Sequence, residues 1–261
     1  MTEIRIAFFD IDGTLVQLGK GISETMRQTL LALQKKDIRI CVATGRPPFR
    51  VPSFDGIVFD AYLTYNGSYC YDRKGHEILS HCIDHQDVLR ILNNAAEVNR
   101  PCSIAGKDRL LSNGTDRNLY DYFVIAGQTP EVSDEFDAYL SHHEIYQIMC
   151  GCVKEEYDAV MKGVDGAVIT TWWNRAVDII PKGSGKDAGV KQILSYFGFR
   201  KEEAMAFGDG GNDIGMLESV GMGVAMGNAT EDVKAAVPYV CAPVEEEGIY
   251  QFCRERHILW K

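Results

Sequence analysis

Apolar residues along the chain gather in short runs, and the segments between them have helical spacing. The runs have the length and composition of buried strands. They are IRIAFF at 4–9, IRICVA at 38–43, AYLTY at 61–65 and AMAFG at 204–208. Between the first two, a helix is predicted from Ser23, a good N-cap residue, to Lys36.

The last third of the chain continues this alternation. Two more strands, GMGVAM at 221–226 and YVCA at 239–242, are separated by a predicted helix near 229–236, and Gly198 ends a helix that starts at Lys186. The segment SYCYDRKGHEIL reads as a hairpin that turns at DRKG. Strands that alternate with helices at both ends of a chain are typical of an α/β fold with a doubly wound, Rossmann-like parallel sheet.

The middle of the chain has a different pattern. Residues 81–183 contain helices and longer strands, and the segments IYQIMCGCV and AVITTWWNRAVDIIP look antiparallel. An insertion of about 100 residues between strands of one sheet is too long for a loop. We therefore predict a core formed by 1–80 and 184–261 and an inserted α/β domain at 81–183. Cys150 and Cys152 lie on a strand of that domain and are predicted to pack in its interior.

Composition excludes several classes of protein. The 261 residues are 46% hydrophobic and 25% charged, as in ordinary globular proteins, and the net charge of −10 argues against a nucleic-acid binder. The start MTEIRIAFF lacks the features of a signal peptide, and no apolar run approaches the roughly 18 residues of a membrane span. The eight cysteines include no CxxC pair and indicate reduced thiols. We expect a cytoplasmic protein, monomeric or weakly dimeric, with no membrane or nucleic-acid partner.

Polar side chains follow four of the predicted core strands at the point where each strand ends. They are Asp10 and Asp12, Thr44-Gly45-Arg46, Asn66, and the segment from Asp209 through Asn212 to Asp213. Open α/β sheets bind ligands outside the carboxyl ends of their strands. If these strands are parallel neighbours, four carboxylates converge there and repel each other, which a bound cation relieves. The ligands are hard oxygens without His or Cys, so Mg²⁺ is the expected ion.

Each of these features has an ordinary structural explanation when it is taken alone. D-x-D and GDGGND occur in turns, ATGR can be a strand-to-turn junction, and Lys186 can be a solvated lysine at a helix start. Their joint occurrence at successive strand ends favours an active site.

Five segments together resemble the motifs of the haloacid dehalogenase (HAD) superfamily. They are DIDGTL at 10–15, ATGRP at 43–47, YNGS at 65–68, PKGSGKDAGV at 181–190 and FGDGGNDIGML at 207–217. More narrowly, the chain is similar to the Cof-type sugar-phosphate phosphatases, which carry a large α/β cap. The resemblance implies Mg²⁺-dependent hydrolysis of small phosphorylated metabolites, with hexose phosphates favoured and residues 81–183 as the substrate-selecting cap.

The resemblance also implies roles that spacing alone does not assign. Asp10 would be the nucleophile that forms an aspartyl-phosphate, and Asp12 would act as general acid and then as base. The remaining implied roles are phosphate binding for Thr44, Gly45, Lys186 and Asn212, and Mg²⁺ binding for Asp10, Asp12 through its carbonyl, Asp209 and Asp213. Arg46 and Asn66 follow core strands close to the predicted site and are candidates for substrate contact. The alignment of the motif favours Lys186 over Lys182 as the active-site lysine.

Three other functions remain open from the sequence. A phosphohexomutase would share the aspartyl-phosphate step, and a phosphatase for flavin mononucleotide or another small metabolite would share the whole mechanism. A phospho-acceptor receiver domain also combines Asp, Thr and Lys on a parallel sheet. The insertion and the GDGGND segment argue against a receiver, which is a single compact domain.

Overall fold

The computed structural model of the protein describes residues 3–17 and 20–259. The chain divides into two compact units. The first holds the described residues of 3–46, 51–79 and 185–259, and the second holds 47–50 and 80–184. No helix in the described part of the chain is long and apolar enough to cross a membrane.

The described residues form thirteen strands. In chain order they are β1 Ile6–Phe9, β2 Arg39–Ala43, β3 Ala61–Thr64, β4 Tyr69–Asp72, β5 Glu77–Ser80, β6 Cys102–Ala105, β7 Leu110–Ser112, β8 Gln147–Cys150, β9 Ala167–Trp173, β10 Ala176–Pro181, β11 Ala204–Gly208, β12 Met222–Ala225 and β13 Tyr239–Val240.

The α-helices of the same residues are α1 Glu24–Lys35, α2 His85–Glu97, α3 Arg117–Ile125, α4 Phe136–His142, α5 Tyr157–Val160, α6 Lys186–Phe197, α7 Ile214–Glu218, α8 Glu231–Ala235 and α9 Gly248–Glu255. Short 3-10 turns lie at Pro48–Arg50, Tyr65–Gly67, Lys154–Glu156, Lys201–Glu203, Gly211–Asp213 and Val244–Glu246.

The sheet of the first unit is mainly parallel. Its eight strands lie in the order β13-β12-β11-β1-β2-β3-β4-β5, and every neighbouring pair from β13 to β3 is parallel, whereas β3 and β4 are antiparallel. Alternate residues of β1 enter different apolar clusters, Phe9 with Leu30 in one and Phe8 with Ile193 in the other. Since successive side chains of a strand point to opposite faces, both faces of the sheet are covered. The predicted α/β class with a parallel core sheet is confirmed.

The predicted helix ends of the first unit agree with the structure to within one or two residues. Helix α1 begins after Ser23, whose Oγ accepts a hydrogen bond from the Met26 N–H at 2.9 Å. Helix α6 runs from Lys186 to Phe197 and is followed by its capping residue Gly198, which has a φ of 72°. Gly tolerates this left-handed conformation at no steric cost, so the sequence marks the end of the helix.

The second unit holds an antiparallel sheet in the order β7-β6-β8-β10-β9. One apolar cluster joins strand residues such as Ile104 and Ile148 to Ile91 of α2 and Leu140 of α4. Cys150 and Cys152 also belong to this cluster and are fully buried, so the prediction that they pack in the interior is confirmed.

Candidate active site

The four strands with polar ends are neighbours in the sheet. Strand β1 lies between β11 and β2, and β3 follows β2, all in parallel. Because the carboxyl ends of parallel strands lie at one edge of a sheet, the residues that follow these four strands meet there. Asp10, Thr44, Asn66 and Asp209, which follow the four strands, all belong to the first unit.

A buried lysine joins two aspartates at the centre of the site. The Nζ of Lys186 donates to Asp10 Oδ1 at 2.7 Å and to Asp213 Oδ1 at 2.6 Å, and its side chain has no exposed surface. Burial opposes the charged form of the lysine, but attraction to Asp10 and Asp213 and the hydrogen bonds to both together outweigh burial and raise the pKa of Lys186. The lysine is therefore held as a cation between two carboxylates.

Asp209 completes a compact group of carboxylates. Carboxylate oxygens of Asp10, Asp209 and Asp213 all lie within 4.8 Å of one another. The other oxygen of Asp213, Oδ2, accepts hydrogen bonds from the backbone N–H groups of Asp209 at 3.0 Å and Gly210 at 2.9 Å. The turn after β11 thus holds Asp213 in place through its own backbone.

The electrostatics of this group fit a bound cation. Burial raises the pKa of Asp10 well above its ordinary value, Lys186 lowers it, and Asp213 and Asp209 raise it again. Burial and the charge of Asp213 raise the pKa of Asp209 to about 7. Three acidic groups with one cation among them carry uncompensated negative charge, and their donors are hard oxygens. The residues present therefore suit a divalent cation such as Mg²⁺.

The carboxylate of Asp12 lies outside this group and has a different partner. Arg46 donates from Nε to Asp12 Oδ2 at 2.8 Å and from Nη2 to Asp12 Oδ1 at 2.7 Å. Only three of the four carboxylates expected at this edge therefore form the acidic group. The predicted metal contact of Asp12 through its carbonyl stays a prediction.

Gly13 allows the loop after β1 to pass close to Asp209. Its φ is 86°, and a Cβ atom at this position would lie 2.3 Å from Asp209 Oδ2. A larger residue would strain the backbone and displace the carboxylate, so the sequence requires Gly between Asp12 and Thr14.

Thr44, Gly45, Asn66 and Asn212 lie together beside the acidic group. Asn212 Nδ2 donates to Asn66 Oδ1 at 2.9 Å, and the Asn66 N–H donates to the Thr44 carbonyl at 3.0 Å. A Cβ atom on Gly45 would lie 3.1 Å from Asn66 Nδ2. The structure thus brings together the four residues, and Thr44 and Asn66 are almost fully buried.

Two residues that were not predicted from the sequence contact Asp209. Thr14 Oγ1 donates to Asp209 Oδ1 at 2.9 Å, and Asn228 Nδ2 donates to the Gly13 carbonyl at 2.9 Å and to Asp209 Oδ2 at 3.4 Å. Asn228 follows the end of β12, so the rule that found the other strand-end residues could have found it. Lys182 lies in the second unit, where its N–H donates to the Gly166 carbonyl.

Comparison with known proteins places this arrangement in a family. The family model for haloacid dehalogenase-like hydrolases matches residues 7–253. A Bacillus subtilis (strain 168) protein named "Putative phosphatase YkrA" is 31% identical over 260 residues, which cover 98% of this chain and 99% of that protein.

Two other proteins align over nearly their whole length. The 5-amino-6-(5-phospho-D-ribitylamino)uracil phosphatase YitU of Bacillus subtilis (strain 168) is 28% identical over 276 residues, 97% of this chain and 98% of the relative. The solved structure of the HAD subclass IIB sugar phosphatase BT4131 superposes with a TM-score of 0.88 at 32% identity, covering 97% of this chain and 99% of that one. The chain therefore belongs to the haloacid dehalogenase-like hydrolases and is a phosphatase of that superfamily.

Proposed function

We propose that the protein is a Mg²⁺-dependent phosphomonoesterase that works through an aspartyl-phosphate on Asp10. The observation that carries this proposal is the group formed by the buried Asp10 and Asp213 and the partly buried Asp209, with Lys186 bonded to the two buried members. The single positive charge of Lys186 does not neutralise three carboxylates. A bound phosphoryl group adds further negative charge, which a second cation would offset.

In the first step a carboxylate oxygen of Asp10 attacks phosphorus. The bond from phosphorus to the leaving oxygen breaks, and Asp12 donates its proton to that oxygen as the alcohol departs. Lys186 is bonded to Oδ1 of the attacking carboxylate, so it fixes the carboxylate and neutralises charge near the phosphoryl group.

In the second step water attacks the same phosphorus. Asp12 takes a proton from the water, the bond from phosphorus to Asp10 breaks, and inorganic phosphate leaves. The enzyme returns to its starting state with Asp12 protonated again, so the two steps balance. Since each displacement is easier than direct hydrolysis, the covalent intermediate accelerates the whole reaction.

The remaining strand-end residues hold the phosphoryl group and the ion. Thr44, Gly45 and Asn212 line the side of the site where phosphate oxygens would bind, and Asn66 holds Asn212. Asp10, Asp209, Asp213 and the Asp12 carbonyl would hold Mg²⁺. When it is bound, this ion supplies positive charge that offsets the carboxylates and the phosphoryl oxygens.

We propose small phosphorylated sugars, hexose phosphates first, as the substrates. The likeness to the sugar phosphatase BT4131 over 97% of this chain supports this choice. By the pattern of the family, residues 81–183 would act as the cap that selects the leaving group. The likeness to a phosphatase of a ribitylaminouracil phosphate supports a second candidate, a nucleotide-like or flavin-related metabolite.

A trapped intermediate tests the mechanism. With an activated aryl phosphate, whose leaving group needs little protonation, Asp12→Ala should still phosphorylate Asp10 and then stall because no base activates water. Asp10→Asn should form no adduct. Mass spectrometry at acid pH would detect the adduct, and an adduct on another residue, or near-normal turnover of Asp10→Asn, would contradict the mechanism.

Phosphate release separates the hydrolase from the mutase. We expect free phosphate from hexose monophosphates in the absence of any sugar bisphosphate, and no interconversion of hexose 1- and 6-phosphates. A screen that also includes flavin mononucleotide and nucleotides would rank the substrate classes. Isomerised sugar phosphate as the main product would favour the mutase.

A further inference from the structure

Arg46 binds the Asp12 carboxylate with two nitrogens. Nε and Nη2 donate to Oδ2 and Oδ1 at 2.8 and 2.7 Å, so each carboxylate oxygen accepts one bond. The side chains of Arg46 and Asp12 are 20% and 31% exposed. A two-bond pair of this kind fixes the plane of the carboxylate as well as its distance, which a single point charge does not.

The backbone of Arg46 is held on both sides. Its N–H donates to Thr44 Oγ1 at 3.1 Å, and its carbonyl accepts from the Tyr65 N–H at 3.1 Å. Tyr65 is fully buried and has a φ of 51°, a left-handed conformation that is strained in a residue other than Gly. Such a conformation persists only where its surroundings hold it, so the turn after β3 fixes the base of the arginine.

The pair leaves Asp12 able to exchange a proton. A carboxylate offers about four acceptor positions, and the two arginine bonds use one on each oxygen. Arg46 does not use the two remaining positions, so one of them can hold the proton that Asp12 gives to the leaving oxygen and later takes back from water. Arg46 therefore orients Asp12 without blocking it.

We propose that Arg46 is a positioning residue for the acid–base chemistry of Asp12, rather than the substrate contact predicted from its position near the site. This inference rests on the role of Asp12 in the proposed function. Asp12 lies at the partly exposed rim of the site, where an unrestrained side chain would turn about its own bonds. A misplacement of about 1 Å at a reacting group can cost on the order of 100-fold in rate.

The dependence of the rate on the leaving group tests this inference. Arg46→Gln removes the charge and the two-bond pair, and Arg46→Lys keeps the charge without the pair. For a hexose phosphate, whose alkoxide needs a proton to leave, we expect both variants to lower kcat by about 10–100-fold with little change in KM. For an aryl phosphate with a good leaving group, the pre-steady-state burst should change by less than about threefold.

Two variants calibrate the result. Asp12→Ala shows how much more the rate falls for the hexose phosphate than for the aryl phosphate when the acid–base group is absent. The Arg46 variants should show the same difference between the two substrates, but a smaller one. Arg39→Gln is the matched control, because Arg39 also pairs with an aspartate, Asp60 at 3.0 Å, but lies at the other end of β2. It should affect both substrates equally. Thermal unfolding of each variant shows whether a loss comes from folding.

The outcomes separate this inference from the proposed function. A rise in KM that is equal for both substrates in Arg46→Gln would overturn the inference and make Arg46 a substrate contact. A leaving-group effect in Asp12→Ala but none in either Arg46 variant would overturn the inference alone. If Asp12→Ala also showed no leaving-group effect, the acid–base role of Asp12 would fail and the inference would fail with it.

Discussion

The two sheets of the molecule bury carboxylates in different ways. In the parallel sheet, Asp10 and Asp213 share one ammonium and lie within 4.8 Å of Asp209. In the antiparallel sheet, the buried Asp178 lies within β10 and accepts a hydrogen bond from the Tyr122 hydroxyl at 2.6 Å. The first arrangement concentrates negative charge at an edge of the sheet. In the second, one carboxyl group within a strand accepts a hydrogen bond from a neighbouring hydroxyl.

The difference follows from the direction of the strands. Parallel neighbours all end at the same edge, so polar residues after several strands gather at one place. Antiparallel neighbours end at alternate edges, and their polar residues stay apart. A group of like charges that needs a ligand therefore forms in the first sheet, whereas the second can bury its carboxylate without one.

Removing the ammonium group of Lys186 from the acidic group should have the largest effect on stability. In Lys186→Met, two buried carboxylates lose their partner, and we expect a loss of about 3–5 kcal/mol in the free energy of unfolding at pH 7.5, together with loss of activity. Mg²⁺ should restore part of the stability because it supplies the missing positive charge. Denaturant unfolding with and without Mg²⁺ measures both effects, and an unchanged midpoint would show that the group does not need the lysine.

From the raised pKa of Asp209 we expect Mg²⁺ affinity to depend on pH. The pKa of Asp209 is raised to about 7 in the folded, metal-free protein, compared with an ordinary value of 3.8. Its carboxyl group must lose a proton to bind Mg²⁺, so affinity should fall by up to about tenfold per pH unit below 7 and level off above it. Calorimetry from pH 5.5 to 8.5 measures this change, and a flat affinity would contradict it.

The sign of the stability change follows from the same shift. Because the folded-state pKa of Asp209 is raised, ionising this group costs more in the folded than in the unfolded protein. The metal-free protein should therefore lose stability as pH rises from about 4 through 7. The gain in melting temperature on adding Mg²⁺ should grow over the same range.

A neutral substitution in the antiparallel sheet gives the contrasting case. Asp178→Asn keeps an oxygen that can accept from Tyr122 but removes the charge, so we expect a loss of about 1–2 kcal/mol in stability. Added Mg²⁺ should not change that loss, since no further carboxylate lies in a metal-binding group with Asp178 among the described residues. A clear Mg²⁺ rescue of this variant would break the distinction between the two sheets.

The smallest expected effect concerns the hydroxyl group that orients Asp209. Thr14 is buried, and Thr14→Val is nearly isosteric but removes the bond to Asp209 Oδ1. We expect Mg²⁺ affinity to fall by about tenfold, the lower end for groups that orient metal ligands. Thr14→Ser keeps the hydroxyl and should bind Mg²⁺ almost normally. Equal affinities for the Val and Ser variants would show that the hydroxyl is not needed.

Most of the parallel sheet could be predicted from the sequence because its signals are local. Short apolar runs, the cap residue Ser23 and the helix end at Gly198 each depend on nearby residues. The same runs placed Asp10, Asp209 and Asp213 at strand ends. Once β1 and β11 are taken as parallel neighbours, topology alone brings these carboxylates together.

Side-chain directions at the edge could not be predicted in the same way. The sequence placed Arg46 near the site, but its direction toward Asp12 depends on the turn after β3, where Tyr65 and Asn66 have φ values of 51° and 52°. Thr14 was missed for a related reason. Its contact with Asp209 appears only when the loops after β1 and β11 are seen together, and the two residues are 195 positions apart in the chain. Asn228 follows a strand end and could have been found by the rule that found the others.

The central position of β1 has a consequence for the newly made chain. One edge of β1 pairs with β2, where Ile6 lies opposite Arg39, but the other pairs with β11, where Ile6 lies opposite Ala204. At roughly 5–20 residues per second, a ribosome needs about 10–40 s to make the intervening stretch. During that time the apolar segment Ile6–Phe9 presents an unpaired edge, which is a site for aggregation. We therefore expect the first strand to be the part of the newly made chain that most needs protection by a chaperone, from early in synthesis.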